Sequence, residues 1–162
     1  MKHGFIKIGA ATPKIKVADC ANNAEEIKKQ LDEAREQKAK VVVFPELCIT
    51  GYTCEDLFMQ ETLLAGAREA LTSILDFSKD MDMVFFVGLP MEHYGKLYNV
   101  MAACCQGKVL GLVPKRNIPS YSVYYERRHF TAGPLVPEWM NFLGERFPSE
   151  PICYLPVRKC RI

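Results

Sequence analysis

The sequence predicts an α/β fold, a layered sandwich in which a mixed β-sheet packs against helices. Three observations carry the prediction. Strand-like and helix-like segments alternate as βαβαβ and then give way to a β-hairpin. Two stretches, "VVVF" at 41–44 and "MVFFVGLP" at 83–90, are apolar without polar alternation, as in strands covered on both faces. Over 162 positions, 49% apolar and 25% charged residues suit one folded domain with its own core.

The first strand is expected over residues 4–12, where Phe5, Ile6 and Ile8 surround Lys7. A helix follows from Ala24 to Lys38. Ala24, Ile27, Leu31 and Ala34 recur at helical spacing there, and Asn23 with Glu26 forms a capping pair of the box kind. "VVVF" supplies the second strand. Residues 60–80 carry Leu63, Leu64, Ala67, Leu71, Ile74 and Leu75 as the stripe of a second helix. The third strand, 83–90, closes at Pro90. "KLYNVMAACC" and "KVLGLV" then flank Gln106-Gly107, a hairpin turn in which glycine supplies positive φ. Beyond Lys115 the pattern weakens. "EWMNFLGERF", residues 138–147, reads as a short helix with Pro137 near its start. Pro148, Pro151 and Pro156 exclude a helix interior from the last segment.

A formal net charge of +2 implies neither nucleic acid nor an anionic membrane surface as a partner. No stretch reaches the ~20 apolar residues of a membrane span. Lysines interrupt the first twenty residues too often for a signal peptide, so the cytoplasm is the expected compartment. The seven cysteines then read as reduced thiols, with no C-x-x-C for a metal or a redox dithiol. The three histidines, at 3, 93 and 129, form no metalloprotease spacing.

In open α/β sheets, functional groups gather beyond the carboxyl ends of strands. Glu46 follows "VVVF" and Pro45, and Lys115 follows "VLGLV" and Pro114. Met91 and Glu92 stand after "FVGLP". Spacing leaves two readings open, one polar cluster or separate solvated loop residues. Tyr121, Tyr124 and Tyr125 beside Arg127 and Arg128 could stack single-stranded nucleic acid, but the balanced charge favours a packed aromatic edge with a solvated basic face.

"FPELCITGYTCEDLF" (44–58) and "VPKRNIPSYSVYYERRHFTAG" (113–133) resemble the glutaminase domain of glutamine-dependent NAD synthetases, in the nitrilase (carbon–nitrogen hydrolase) superfamily. The first block holds the P-E-x-x-x-x-G-Y pattern, and Glu55-Asp56-Leu57-Phe58 is particular to the NAD synthetases. The second holds P-K-x-x-x-P-x-Y. The resemblance implies a nitrilase-like sandwich, with Glu46 as general base and Lys115 as catalytic lysine. It implies that Tyr121 contacts the substrate, L-glutamine, and that Glu126 is an additional acidic residue supporting the lysine. Ser120 and Tyr125 depart from the Asn and Asp common at those positions. The implied reaction is glutamine hydrolysis that supplies ammonia to a C-terminal synthetase domain. ATP and magnesium serve that domain, and no cofactor or metal serves this one. The intact enzyme is implied to be a homo-oligomer.

The resemblance extends from about Phe5 to Phe147. The expected division is a partial carbon–nitrogen hydrolase domain at 1–147 and a divergent tail at 148–162. The family's nucleophile, a cysteine in a Cys-Glu-Asp context at the end of a further strand, has no counterpart. Cys153 and Cys160 are followed by neither Glu nor Asp. The expectation is a domain incomplete at its C-terminal end and inactive alone. The alternatives are a non-catalytic remnant or scaffold, and an amidase of another nitrilase branch.

Overall fold

The computed structural model describes residues 4–136 and 138–149. Strand β1 (Ile8–Ala10) leads through helix α1 (Cys20–Glu36) to β2 (Val41–Val43). A 3-10 helix (Glu55–Met59) and helix α2 (Glu61–Phe77) precede β3 (Val84–His93), β4 (Lys96–Cys105) and β5 (Lys108–Pro114). A second 3-10 helix (Glu126–Arg128) comes before β6 (Glu138–Phe142) and β7 (Glu145–Ser149). The strands form one mixed sheet in the order β1-β2-β3-β4-β5-β7-β6. Strands β1, β2 and β3 are mutually parallel, and β3, β4 and β5 are joined antiparallel. Strand β7 lies parallel to β5 and antiparallel to β6. The expected α/β order is what the chain adopts. Among the described residues no helix is long and apolar enough to cross a membrane.

The two crossovers, β1-α1-β2 and β2-α2-β3, step in the same direction across the sheet. Right-handed connections then place both helices on one face. Val42, Phe85 and Cys104 share a row of the register and are buried in one core with Ile27 and Leu31 of α1 and Leu71 and Ile74 of α2. The neighbouring Val43 points the other way and is 45% exposed. The three-valine run is therefore covered on one face, not on both as its composition suggested.

Four local expectations are corrected. The first strand is confined to Ile8–Ala10, and Phe5 is exposed. Helix α1 starts earlier than expected. Asp19, not Asn23, is its cap, accepting from the Asn22 N–H at 3.1 Å. Asn23 is instead fully buried. It bonds both backbone groups of Lys16 at 2.8 Å and donates to the Ile49 carbonyl at 2.9 Å. Third, β3 runs through Pro90 to His93. Strand β2 pairs only as far as Phe86, so beyond it that flank of β3 carries no strand among the described residues. Phe86 and Gly88 turn their carbonyls to Phe44 and Ile49 on that side, and Pro90, two residues on, faces the same edge, where a missing N–H costs nothing. Glu92 consequently stays inside β3, exposed, opposite Leu97.

Fourth, residues 138–147 are not a helix but the hairpin β6–β7. Met140 and Phe142 are buried at period two, and Leu143 and Gly144 turn the chain with φ of 50° and 77°. Two successive positive φ values belong to a type I′ hairpin turn, a local signal that overrides the helical reading. Pro148 and Ser149 complete β7. Pro137 and residues 150–162, with Cys153 and Cys160, lie outside the described residues.

One close approach positions the segment after β2. A Cβ built on Gly88 would stand 2.4 Å from the Leu47 nitrogen and 2.9 Å from the Pro45 carbonyl oxygen. Only glycine lets β3 pass beneath this turn. The Gly88→Ala substitution is expected to cost about 2–3 kcal/mol, because backbone rather than a flexible side chain must give way. Gly9→Ala, whose Cβ would meet only Val42 Cγ2 at 3.8 Å, should stay within about 0.5 kcal/mol of the parent. Urea denaturation of both variants checks the contrast.

Candidate active site

Glu46 is the last exposed residue before a buried turn. Phe44 donates its N–H to Phe86 O at 2.9 Å, and Ile49 donates to Gly88 O at 3.2 Å, so β3 holds both sides of the carboxylate. Leu47 turns the chain with φ 51°, and its carbonyl accepts from Thr50 and Gly51. Leu47, Ile49 and Thr50 are fully buried. Asn23 from α1 and the Ala18 N–H, 2.7 Å from Thr50 O, clamp the turn from the other side. The Glu46 backbone is thus fixed while its carboxylate reaches solvent.

Lys115 follows β5 directly. Its N–H donates to Asn99 O in β4 at 2.8 Å, and its carbonyl accepts from Gly133 at 2.8 Å. Gly133 presses on the chain just before it, since a Cβ there would meet Pro114 O at 2.8 Å. Glu126 opens the second 3-10 helix, where its carbonyl accepts from His129 and Phe130. The "EDLF" segment braces that helix. Arg128 pairs with Asp56 at 2.9 Å, and the Phe58 ring meets the Phe130 ring edge-on at 5.0 Å.

These elements bring three charges together. Lys115 Nζ lies 2.6 Å from Glu46 Oε1 and 2.9 Å from both oxygens of Glu126. The side chains are 28% (Lys115), 39% (Glu46) and 6% (Glu126) exposed. Tyr52 donates its hydroxyl to Glu126 Oε1 at 2.7 Å, and Asn99 Nδ2 donates to Glu46 Oε1. Burial pulls the Lys115 pKa down, but the hydrogen bonds to Glu46 and Glu126, with their charges, outweigh it, and the net displacement is upward. Burial, reinforced by the bond to Glu126, raises the Tyr52 phenol, which therefore stays a donor.

Of the residues singled out from sequence, Glu46, Lys115 and Glu126 converge. Tyr121 does not join them by any direct bond. It is 68% exposed and lines an open cleft with Lys115, Arg116, Ser120 and Arg127. Its ring touches only that of Tyr124, at 5.5 Å, so the tyrosine run is an exposed edge rather than a packed one. Glu92 lies elsewhere in β3. Sequence reasoning missed Asn99 and Tyr52. Asn99 had a signal, a lone amide inside the apolar run "LYNVMAACC". Tyr52 stood within the quoted glycine–tyrosine pattern, but nothing local to it announces a partner 74 residues on.

The arrangement offers a solvent-reaching carboxylate, an ammonium beside it and a buried carboxylate that fixes the ammonium. That set can shuttle a proton and stabilise a developing oxyanion. Among the described residues it includes no thiol. Cys20, Cys48, Cys54, Cys104 and Cys105 are all buried. Burial pushes Cys48 up to about 12 and Cys20 up to about 11, and it raises Cys54 and Cys104. Such thiols stay protonated and unreactive. Among the described residues no three His, Cys, Asp or Glu side chains converge as metal ligands.

Comparison with known proteins identifies the family and the fold. The carbon-nitrogen hydrolase family pattern matches residues 7–148. The chain is 36% identical over 132 residues to the glutamine-dependent NAD(+) synthetase of Mycobacterium bovis, covering 82% of this chain but 19% of that protein. A crystal structure of a glutamine-dependent NAD(+) synthetase from Cytophaga hutchinsonii superposes with a TM-score of 0.77 at 32% identity. It covers 89% of this chain and 25% of that one. An amidase from Nesterenkonia sp. shares the fold at a TM-score of 0.68 and 20% identity, over 88% of this chain and 54% of its own. The chain thus spans about a fifth to a quarter of the synthetases it matches.

Removing the ammonium tests the electrostatics. Lys115→Met leaves the buried Glu126 carboxylate without a counter-charge and is expected to cost about 3–5 kcal/mol at neutral pH. The folded pKa of Lys115 lies above the unfolded one. The lysine's contribution is therefore fully present below about pH 10.4 and is lost as the pH climbs through the higher folded value. Denaturant melts of parent and variant at pH 7 and above pH 11 should show the gap closing at the alkaline end.

Proposed function

Because the chain belongs to the carbon–nitrogen hydrolase family, we propose that the Glu46–Lys115–Glu126 cluster serves hydrolysis of the side-chain amide of L-glutamine, in a cytoplasmic enzyme that supplies ammonia for NAD synthesis. The observation that supports it best is the 2.6 Å contact between Glu46 and Lys115 across 69 residues of sequence, beside a cleft that Tyr121 lines.

In this reading a cysteine thiol gives its proton to Glu46 and its sulfur bonds to the amide carbon. Lys115 stabilises the oxyanion that forms. As the C–N bond breaks, Glu46 returns the proton to the departing ammonia. Glu46 then takes a proton from water, whose oxygen attacks the thioester and releases glutamate and the thiol. Glu126 and Tyr52 hold Lys115 in place, and Tyr121 contacts the substrate. The five described cysteines are buried, so the thiol belongs to a residue outside the described ones. The chain alone releases no useful ammonia, because neither Cys153 nor Cys160 stands in the Cys-Glu-Asp context of the family's nucleophile. The cluster calls for no metal, since its two carboxylates already share one ammonium. ATP and magnesium serve a C-terminal synthetase domain that amidates nicotinic acid adenine dinucleotide, within a homo-oligomer. Residues 1–147 act as the hydrolase part and 148–162 as a tail.

Glutamine titrated into the isotope-labelled chain should shift the Lys115 and Tyr121 resonances, and Lys115→Met should abolish the response. An ammonia-release screen across glutamine, asparagine and simple amides should stay at background. Absence of glutamine binding would overturn the substrate assignment and leave a non-catalytic scaffold. Preference for a simple amide would move the chain to another amidase branch. Ammonia release that disappears in Cys153→Ser or Cys160→Ser would show that the chain carries its own nucleophile.

A further inference from the structure

We infer that Asn99 is the positioning residue of this site, locking the Glu46 carboxylate by one oxygen so that the other is left to accept the proton. The inference deepens the hydrolytic reading and rests on it for the word "accept". The geometry itself does not depend on the substrate.

Asn99 lies in β4 opposite Pro90 and is 3% exposed. A buried amide needs partners, and these two are informative. Its side-chain Nδ2 donates to Glu46 Oε1. Its backbone carbonyl accepts the Lys115 N–H at 2.8 Å. One residue therefore touches both members of the acid–base pair, from the strand that lies between β3 and β5.

The bonds to Glu46 are asymmetric. Asn99 Nδ2 and Lys115 Nζ both end on Oε1. No bond to Oε2 occurs among the described residues. An exposed glutamate has several rotamers, and a lysine on its flexible stem cannot select one of them. A short amide fixed in a buried strand can. The carboxylate is then held with Oε2 free for a proton, and little entropy is lost on reaching the reactive geometry. Pro90 stands opposite Asn99 inside an unbroken β3–β4 ladder, which holds the Asn99 backbone on both sides of that pair.

The test reads the 13Cε titration of Lys115, assigned through Lys115→Met, in the full chain. The groups facing Lys115 are Glu46 and Glu126 directly and Tyr52 through Glu126, with Arg116 and Arg127 along the cleft. Asn99→Leu keeps the backbone carbonyl and the branching of the side chain, at a larger volume, but removes the donor. Glu46 should swing away, and the Lys115 midpoint should fall by about one pH unit. Asn99→Asp places a third carboxylate against the pair and should raise it. A purely structural asparagine would lower the denaturation midpoint in both variants and leave the Lys115 titration where it was, which overturns the proposal.

Should either variant fail to fold, a change at Glu46 in a chain that keeps Asn99 still decides. The Asn99 side-chain amide resonances should move when Glu46 is replaced in Glu46→Ala, and indifference to that replacement overturns the proposal. Loss of glutamine binding in the parent with the Asn99 effects intact would sink the hydrolytic reading alone. Intact binding with an unmoved Lys115 titration would sink the Asn99 assignment alone.

Discussion

One ammonium answers two carboxylates at this site, and one of the carboxylates is buried. Glu126 is 6% exposed, and an unpaired buried ion costs several kcal/mol. Lys115 supplies the counter-charge and Tyr52 a hydrogen bond. The consequence is positional. Fixing Lys115 against Glu126 fixes where its remaining proton points, and it points at Glu46. The buried carboxylate acts as an anchor, and the exposed one meets the ammonium from the solvent side.

The sheet makes that meeting possible. Glu46 leaves the carboxyl end of β2, a parallel strand, and Lys115 leaves the end of β5, which reaches the same region through two antiparallel turns. Between them stand β3 and β4, whose register sets Pro90 opposite Asn99. The distance between the ends of β2 and β5 is thus spanned by an amide from the strand in between. Two glycines permit the close passages involved. Gly88 lets β3 slide under the Glu46 turn, and Gly133 lets the returning chain lie on Pro114. A side chain at either place would push the backbone next to Glu46 or Lys115 away from its support.

Much of this was legible in the sequence. The apolar valine run, the helical stripes of α1 and α2 and the Gln106-Gly107 turn announced the layers in order. The placement of Glu46 and Lys115 after strands announced where to look. What stayed hidden depended on contacts far along the chain. Asn23 reads as a helix cap because asparagine commonly is one, yet the Ile49 carbonyl, 26 residues away, claims its side chain. Pro90 reads as a strand end because proline usually is, yet its edge of β3 has no neighbour that needs an N–H. Residues 138–147 have enough apolar character for a helix, and only the paired positive φ values at Leu143 and Gly144 decide for a hairpin. In each case a local preference gave way to tertiary context, which periodicity cannot encode.

Burial has opposite consequences for the two kinds of acid in this chain. For Glu126 it strengthens the pairing, because a nearby ammonium and phenol are present to hold the charged form. For Cys48, two residues from Glu46, it favours the neutral thiol, because desolvation outweighs the backbone hydrogen bonds at Gly88 and at Cys48 itself. Sequence proximity to Glu46 therefore does not make Cys48 a nucleophile. A reactive thiol must share the cleft with Lys115, whose charge can stabilise a thiolate, and must remain open to the substrate. The turn at the positive-φ Leu47 separates the exposed Glu46 from Leu47, Cys48 and Ile49, which are all buried, so the packing that fixes the Glu46 backbone also buries the neighbouring thiol.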